Sequence, residues 1–357
     1  MKALVLARYG RLGASSRVRF IQYLPHFRSQ GIDVTVQPLL SDVYLKALYS
    51  DGSRWREVVK GYMVRIFTLL TAWRFDVVVI EKELFPFMPA VAERFLKFIG
   101  VPYVVDYDDA LFHRYDCHPN PWVRGLLGQK IDSVMRHSAC VMAGNQYLAD
   151  RARKSGAKNV EIVPTVVDID RYKSNRKADE AVLTVGWIGT PQTSKYLKPL
   201  LPVFESLKRE LAVRFVAVGA NAADFKGTAV EAWPWTEDSE VESLQRFDVG
   251  IMPLVDSPWE RGKCGYKLIQ YMACGVPVVA SPVGVNCEIV EARKTGYLAS
   301  SLDEWRNCLL GLLNAAPGER AKLGGAGIEL VRQHYSTEAQ APRIVDVLRR
   351  AAGVDLS

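Results

Sequence analysis

Several features that would fix the class of a protein at once are missing from this sequence. The six cysteines form no CxxC pair and no cysteine–histidine metal spacing, which favours a reduced, cytoplasmic setting. No apolar run approaches the ~18 residues needed to span a bilayer, and the apolar part of the opening MKALVLARYG is too short for a signal peptide. Any membrane contact is therefore expected to be peripheral, on the inner face.

What is present is an ordinary globular composition with an uneven distribution of charge. The chain has 357 residues, 49% of them hydrophobic, which predicts two domains. Residues 1–180 contain 27 Lys and Arg against 19 Asp and Glu, whereas residues 181–357 contain 19 against 20. The positive excess of the first half predicts an anionic partner such as a membrane surface, a phosphorylated ligand or a nucleic acid.

Short, continuously apolar runs alternate with helical patterns along both halves. This pattern is typical of parallel strands buried on both faces, with helices as crossovers. Nine runs are predicted as strands: Lys2–Ala7, Ile32–Val36, Asp76–Ile80, Pro102–Val105, Ala139–Ala143, Ala181–Val185, Val213–Val218, Asp248–Met252 and Val278–Ala280. The longer helices are predicted at Val18–Gln30, Lys195–Glu210 and Tyr266–Ala273.

The charged stretch YKSNRKADE predicts a linker at 172–180 between two α/β domains. The N-terminal domain is expected at 1–171, the C-terminal domain at 181–335, and a final helix at 336–357 that packs back toward the N-terminal domain. Ligands bind at the carboxyl ends of parallel strands, and two facing domains would form one cleft. The residues that follow each strand are therefore the candidate site residues.

The segment WERGKCGYKLIQYMACGVPVVASP at 259–282 is the most informative one. Gly265 stands directly before a predicted helix, whose N-terminus offers free N–H groups to an anion. Lys263 and Lys267 add positive charge there, and Gln270 lies one turn further on the same face, where its amide suits a ribose hydroxyl. A structural helix cap is the alternative interpretation of such a loop.

Five segments, ordered along the chain, resemble retaining GT-B glycosyltransferases of the group 1, family-4 type, in particular a bacterial polysaccharide-type subgroup. They are Leu12–Val34, Val160–Tyr172, Val185–Leu197, Phe247–Leu254 and Gly262–Val290. The resemblance spans nearly the whole chain. It implies an α/β GT-B fold, with two Rossmann-like βαβ domains facing each other across a cleft.

The resemblance also implies which residues bind the sugar-nucleotide donor: Gly189, Thr190, Lys195, Lys263, Gly265, Lys267, Leu268 and Gln270. Many family members carry two Glu, eight positions apart, around the donor loop. Gly262 and Gln270 occupy those positions here, so the departure leaves the positioning of the donor sugar open. Lys195 has an alternative interpretation as a solvated helix start, with the nearby Trp187 in the core.

Candidate catalytic residues follow two strands of the first half. Asp108, Asp109 and His113 lie in VVDYDDALFHRYD, and Glu83 follows DVVVI as a candidate base for the acceptor hydroxyl. Helix-capping acids and a solvated strand end are the alternatives. An Asp-x-Asp pattern can hold a divalent metal, but the GT-B resemblance implies that neither a metal nor a cofactor is required.

The loop RYGRLGASSR and the residues after it are candidates for acceptor binding. Gly13, Arg17 and Arg19 are assigned there, with the arginines as ligands of an acceptor phosphate. Gly10 and Gly13 do not complete a GxGxxG motif, so a nicotinamide site is excluded.

The stretch 55–73 has apolar residues at helical spacing, with Trp55 and Trp73 at its ends and Arg or Lys residues off the stripe. Two interpretations stay open. The helix either packs its apolar stripe on the sheet, as an ordinary crossover helix does, or rests on anionic lipid. The first is favoured.

A retaining, metal-independent glycosyltransferase is the expected function. It would move a sugar from a nucleoside-diphosphate sugar to a glycan or lipid-linked acceptor in polysaccharide or glycolipid assembly. The positive charge of the first half then serves the acceptor side or an anionic membrane surface. The alternatives are a catalytically degenerate GT-B subunit and a sugar-nucleotide epimerase, although the donor loop lacks the paired carboxylates of an epimerase. A nucleic-acid partner is not expected because no motif matches.

Overall fold

The computed structural model describes residues 1–49, 54–172, 182–290 and 294–354. These residues form two compact units. The first contains Met1–Thr165, Arg261–Cys264 and the chain from Gln340 onward, and the second contains Val166–Glu260 and Gly265–Ala339. Nearly all of the expected linker at 172–180 lies outside the described residues.

The first unit is built on a six-stranded parallel sheet. Its strands are β1 (Lys2–Tyr9), β2 (Asp33–Leu40), β3 (Val77–Glu81), β4 (Tyr103–Tyr107), β5 (Cys140–Ala143) and β6 (Val160–Ile162). Their order is β2-β1-β3-β4-β5-β6. Every residue of β3, β4 and β5 is buried, which explains why these strands are continuously apolar in sequence.

Helices cover this sheet on both faces. They are α1 (Ala14–Arg19), α2 (Leu24–Ser29), α3 (Asp42–Tyr49), α4 (Trp55–Leu69), α5 (Val91–Phe98), α6 (His113–Asp116), α7 (Pro121–Leu127), α8 (Lys130–His137) and α9 (Gln146–Lys154). The connection from β1 to β2 steps one way along the sheet, and the connections from β2 to β3 and from β3 to β4 step the other way. Because such crossovers are right-handed, α4 and α5 cover the same face.

The second unit repeats the design with the strand order β12-β11-β10-β7-β8-β9. Its strands are β7 (Leu183–Ile188), β8 (Val213–Val218), β9 (Val230–Trp233), β10 (Val249–Met252), β11 (Val278–Ala280) and β12 (Gly296–Leu298). Its helices are α10 (Leu201–Glu210), α11 (Glu240–Gln245), α12 (Pro258–Arg261), α13 (Tyr266–Ala273), α14 (Asn286–Ile289), α15 (Leu302–Asn314) and α16 (Pro317–His334), and α17 (Thr337–Ala352) follows them. 3₁₀ turns occur at Ile21–Tyr23, Ala72–Arg74, Ile169–Tyr172, Ser194–Leu200 and Ala222–Phe225.

The predicted α/β class is confirmed, and so are the nine predicted strands, with ends that shift by up to four residues. Two helices that were predicted to be continuous are interrupted in the structure. Val18–Gln30 is broken at Phe20, where the backbone leaves the helical region, and α2 restarts with a proline in its first turn. Lys195–Glu210 is a 3₁₀ turn followed by α10. None of the helices in the described ranges is long and apolar enough to cross a bilayer.

Candidate active site

A buried lysine organises the carboxyl edge of the first sheet. β3 and β4 pair Glu81 with Asp106, so the chain emerges from both strands at the same edge. Lys82 follows β3 with a left-handed φ of 66°, and its Nζ lies 2.8 Å from Asp108 Oδ1 and 3.3 Å from Asp109 Oδ2. A left-handed backbone in a residue other than glycine carries strain, which the surrounding structure has to hold in place.

The two aspartates keep Lys82 charged. Burial by itself would lower the pKa of Lys82, but Asp108 and Asp109 raise it above its ordinary value. Burial would raise the pKa of Asp108, but Lys82 and a 2.6 Å hydrogen bond from Ser15 Oγ bring it down to about 2. The edge therefore holds a buried ion pair of Lys82 and Asp108, and Asp109 is the more exposed of the two carboxylates.

Glu83 lies deeper at the same edge and is surrounded by donors. Lys130 Nζ lies 2.5 Å from its carboxylate, Tyr115 donates a hydrogen bond at 2.7 Å, and Arg8 donates one at 3.2 Å. Burial opposes ionisation, but Lys130 and the other donors lower the pKa of Glu83 below its ordinary value. A carboxylate with a lowered pKa is a weak base. The role of Glu83 as a base for the acceptor hydroxyl stays a prediction.

The predicted acceptor residues lie at the start of α1. Gly13 precedes the helix, and a Cβ there would lie 2.4 Å from Tyr9 Cβ, so the position needs glycine. Arg17 and Arg19 are both buried. The guanidinium of Arg19 forms a two-pronged ion pair with Asp106 and donates to Val163 O at 2.9 Å. An acceptor phosphate would have to compete with these partners for Arg19.

His113 begins α6 close to the edge. Its Nδ1 lies 2.9 Å from Asp116 Oδ1, and its Nε2 lies 2.8 Å from the hydroxyl of Tyr147. His113, Asp116 and the exposed Cys117 present atoms spaced closely enough for a metal ion. Arg151 already lies 3.1 Å from Asp116, and this cation opposes the binding of a second positive charge at the group.

The short segment Arg261–Cys264 belongs to the first unit and contacts this edge. Asn145 Nδ2 donates to Lys263 O at 2.9 Å, and Lys263 Nζ lies 3.9 Å from Asp109 Oδ1. The buried Cys264 thiol donates to Asp108 O. A Cβ on Gly262 would lie 2.5 Å from Ala110 Cβ and 2.7 Å from Ala110 N. A side chain at Gly262 would therefore require Ala110 or the segment itself to shift.

The second unit positions the remaining donor candidates around α13. Gly265 precedes this helix with φ 66°, and a Cβ there would lie 2.3 Å from Ile289 Cδ1. Lys267 lies half-buried in the first turn, with its Nζ 5.4 Å from the ring centre of Trp187. Leu268 is fully buried in the core.

The loop after β7 also lies against Trp187. A Cβ on Gly189 would lie 2.3 Å from Cη2 of that indole, so the structure brings Gly189 and Lys267 to one ring. The N–H of Gly189 donates to Val218 O, and the N–H of Thr190 donates to Thr193 Oγ1. Lys195 is exposed beside Tyr196. Trp187 is a core residue, as the alternative interpretation of this loop predicted.

Gln270 is buried and belongs to a series of hydrogen-bonded polar side chains. Its Nε2 donates to the hydroxyl of Tyr172 at 3.0 Å, and that hydroxyl donates to Glu240 Oε1 at 3.0 Å. Trp235 Nε1 donates to the other oxygen of Glu240 at 2.9 Å. Burial raises the pKa of the Tyr172 hydroxyl well above its ordinary value, so this hydroxyl stays protonated.

Several polar residues near the two edges were not predicted from the sequence: Ser15, Lys82, Lys130, Asn145, Tyr172 and Glu240. Lys82 stands between two carboxylates in the motif EKE directly after a strand, and that position was a usable signal. The two partners of Tyr172, Glu240 and Gln270, lie 68 and 98 residues away in sequence, so no local pattern marks Tyr172.

Two family models match this chain, each over one sheet. The model for a glycosyl transferase 4-like domain matches residues 6–165, and the model for glycosyl transferases group 1 matches residues 179–315. The chain belongs to the group 1 glycosyltransferases. A curated relative, D-inositol 3-phosphate glycosyltransferase of Segniliparus rotundus, is 27% identical over 231 residues, which cover 58% of this chain. The match spans 49% of that relative, about half its length.

Solved structures show that this glycosyltransferase has the GT-B fold. HepE of Anabaena, solved in complex with UDP-glucose, is 16% identical with a TM-score of 0.70, over 98% of this chain and 100% of that one. Sucrose-phosphate synthase of Thermosynechococcus elongatus is 14% identical with a TM-score of 0.67, over 99% of both chains. The predicted GT-B architecture is confirmed.

Proposed function

We propose that this glycosyltransferase moves a sugar from a nucleoside-diphosphate sugar to a glycan or lipid-linked saccharide, with retention at the anomeric carbon and without a metal. The observation that carries the proposal is Lys82, a strained residue buried between Asp108 and Asp109 at the carboxyl edge of the first sheet. Strained backbone conformations and titratable groups with shifted pKa values cluster at active sites and ligand-binding sites.

The donor diphosphate is assigned to Lys263 and Lys267. Two lysines and the N–H groups at the start of α13 supply the charge that stabilises a departing nucleoside diphosphate, which makes a metal unnecessary. HepE was solved with UDP and with UDP-glucose. UDP-sugars are therefore the first donor class to test.

The acceptor is assigned to the edge of the first sheet. Asp109 is one-third exposed and lies within 4 Å of Lys82 and Lys263, so its carboxylate suits an acceptor hydroxyl. In front-face transfer the bond from the anomeric carbon to the phosphate oxygen breaks as the bond to the acceptor oxygen forms. The acceptor proton goes to the departing phosphate, so Glu83 does not have to act as a base.

A second candidate function is binding without catalysis. A Cβ on Gly262 would meet Ala110, and Gln270 is engaged with Tyr172. These two positions carry no carboxylate, whereas many family members have a glutamate at each, and this observation favours a catalytically degenerate subunit that binds a sugar nucleotide or glycan.

Thermal-shift screening and turnover together decide between the two. Purified chain is mixed with UDP-, GDP-, ADP- and dTDP-sugars, and the melting temperature and the release of nucleoside diphosphate are measured. Transfer predicts that one donor raises the melting temperature selectively and is also consumed. Selective binding with no consumption, with or without saccharide acceptors, would establish the degenerate subunit instead.

A further inference from the structure

Helix α4 presents its apolar stripe to solvent. Seven residues of the stripe are exposed: Trp55, Val59, Met63, Ile66, Phe67, Leu70 and Trp73. Phe67 is 62% exposed and Trp73, just beyond the helix, is 70% exposed. Packing of the whole stripe on the sheet, the favoured interpretation of the sequence, is therefore wrong for most of it.

A charged residue takes the inward position instead. Arg65 is fully buried, and its Nη2 donates to Ala7 O at 2.6 Å and to Gln37 O at 3.1 Å. Gly61 lets the helix approach β2 closely, because a Cβ there would meet Leu39 O. These contacts fix the rotation of α4 about its axis and hold the apolar stripe outward.

The apolar surface continues beyond α4. The hydroxyl of Tyr62 donates to Pro86 O at 3.0 Å, which ties the helix to the loop after β3. That loop leads into α5, which covers the same face of the sheet. The loop and α5 add five exposed apolar side chains: Phe87, Met88, Val91, Phe95 and Phe98. We call the exposed residues of α4, this loop and α5 the α4–α5 face.

Positive charge accompanies the α4–α5 face. Six exposed cations lie on or next to the two helices: Arg54, Arg56, Lys60, Arg74, Arg94 and Lys97. The only acids of α4 and α5 are Glu57 and Glu93. Glu57 accepts a hydrogen bond from Ser41 Oγ at 2.8 Å, and Glu93 is buried against the N–H of Leu84. Among the described residues of α4, the loop and α5, the face therefore combines apolar area with an excess of positive charge.

We propose that the α4–α5 face docks on an anionic lipid bilayer, with its apolar side chains among the acyl chains and its cations at the headgroups. Apolar area combined with Lys and Arg is the surface that binds such bilayers, and Trp is enriched at the headgroup level. A second copy of the chain fits less well, because a self-contact would bring cations against cations. The inference rests on the proposed function only for the use of a lipid-linked acceptor.

The test is co-sedimentation of the full chain with vesicles. Binding is expected to vesicles of equimolar phosphatidylcholine and phosphatidylglycerol and to weaken in high salt, which screens the charges. Phe67→Ser with Leu70→Ser should lower the affinity by about tenfold or more. Arg56→Gln with Lys60→Gln should lower it roughly 25-fold, at about fivefold per cation. Binding to pure phosphatidylcholine that is equally tight and insensitive to salt would overturn the role of charge.

Matched control variants distinguish binding through the α4–α5 face from nonspecific adsorption of the chain to vesicles. Val255→Ser with Leu302→Ser, and Lys208→Gln with Arg209→Gln, change exposed residues of the second unit and should leave vesicle binding unchanged. An equal loss in the controls, or no loss in the α4–α5 variants, would refute the proposal. A lipid-free dimer in sedimentation velocity that Phe67→Ser with Leu70→Ser dissociates would identify a second copy as the occupant.

A readout of donor turnover keeps the two proposals apart. The Phe67→Ser, Leu70→Ser variant should release nucleoside diphosphate from a soluble donor as fast as the unaltered chain, because neither residue belongs to the candidate site. Vesicle binding without turnover on any donor would overturn the proposed function alone. Turnover without vesicle binding would overturn the docking face alone.

Discussion

The two units differ in how many buried charged side chains they contain. Among the described residues, nine buried charged side chains belong to the first unit: Arg17, Arg19, Arg65, Glu81, Lys82, Glu83, Glu93, Asp106 and Lys130. Three belong to the second: Glu240, Glu260 and Arg320. The edge of the second sheet relies on close glycines and on Lys267 over the ring of Trp187.

This difference teaches how the uneven charge of the sequence is used. Several cations of the first unit lie in buried ion pairs. Substitutions of these residues should therefore act first on the free energy of unfolding. Lys267 lies half-buried over the indole of Trp187, at the start of α13. Its removal should act first on turnover. The predictions below test this contrast, from the largest expected effect to the smallest.

Lys82→Met tests the edge of the first sheet. It leaves Asp108 buried without its cation, and loss of one partner of a buried pair costs about 3–5 kcal/mol of unfolding free energy. The pKa of Asp108 is lowered in the folded chain to about 2, so the stabilisation is present above about pH 4 and is lost as the pH falls toward 2. The difference in unfolding free energy between the variant and the unaltered chain, measured by urea unfolding, should decrease as the pH falls from about 4 to about 2.

Arg153→Met is the control for this prediction. It removes an exposed ion pair of the same unit, with Asp150 at 3.0 Å, and such pairs contribute about 0.2–1 kcal/mol. If the two variants unfold with equal free energies, the buried cluster does not stabilise the first unit and the contrast fails.

Lys267→Met tests the edge of the second sheet. Loss of a group that stabilises charge in the transition state lowers turnover by about 10²-fold, whereas the lost cation–π contact with Trp187 costs only about 0.5–1 kcal/mol of stability. Donor turnover and the melting temperature are measured on one preparation. Lys198→Met, an exposed lysine of the same unit paired with Asp224, should change neither. Parallel losses of stability and turnover would remove Lys267 from the donor site.

Gly262→Ala tests whether crowding explains the missing carboxylate. The added Cβ would meet Ala110, and overpacking of this kind costs about 1–3 kcal/mol. Gly311→Ala, in α15 with nothing within 4 Å of the added atom, should instead stabilise the chain by up to about 1 kcal/mol. A neutral Gly262→Ala would mean that the segment adapts, and Gly262→Glu would then be worth testing for a gain of turnover.

The sequence predicted the inner strands well and the edge strands poorly. The strands it missed, β6, β9 and β12, each lie at an end of a sheet and have three or four residues. An edge strand is paired and covered on fewer sides, so its residues need not form a continuous apolar run. The predicted site residues follow inner strands for the same reason. The contact between Lys82 and Asp108 depends on the register of β3 against β4, which the sequence pattern does not predict.

Helix α4 shows a second limit. Periodicity identifies an apolar stripe but not which side of the helix meets the sheet. Arg65 decides this, because carbonyls of Ala7 and Gln37 accept from its guanidinium. Those partners lie 58 and 28 residues away in sequence, so only the folded chain shows that the charged side faces inward.

Tyr172→Phe addresses the smallest effect, in the polar chain of the second unit. Removing the hydroxyl takes a hydrogen-bond partner from Gln270 and from Glu240, which should cost about 1 kcal/mol of stability. If Gln270 binds a ribose hydroxyl, its amide has to leave Tyr172 first. The variant should then bind the donor as tightly as the unaltered chain or more tightly in calorimetric titration. A tenfold loss of affinity would mean that Tyr172 orients Gln270 for the donor, and that the second edge also depends on a buried network.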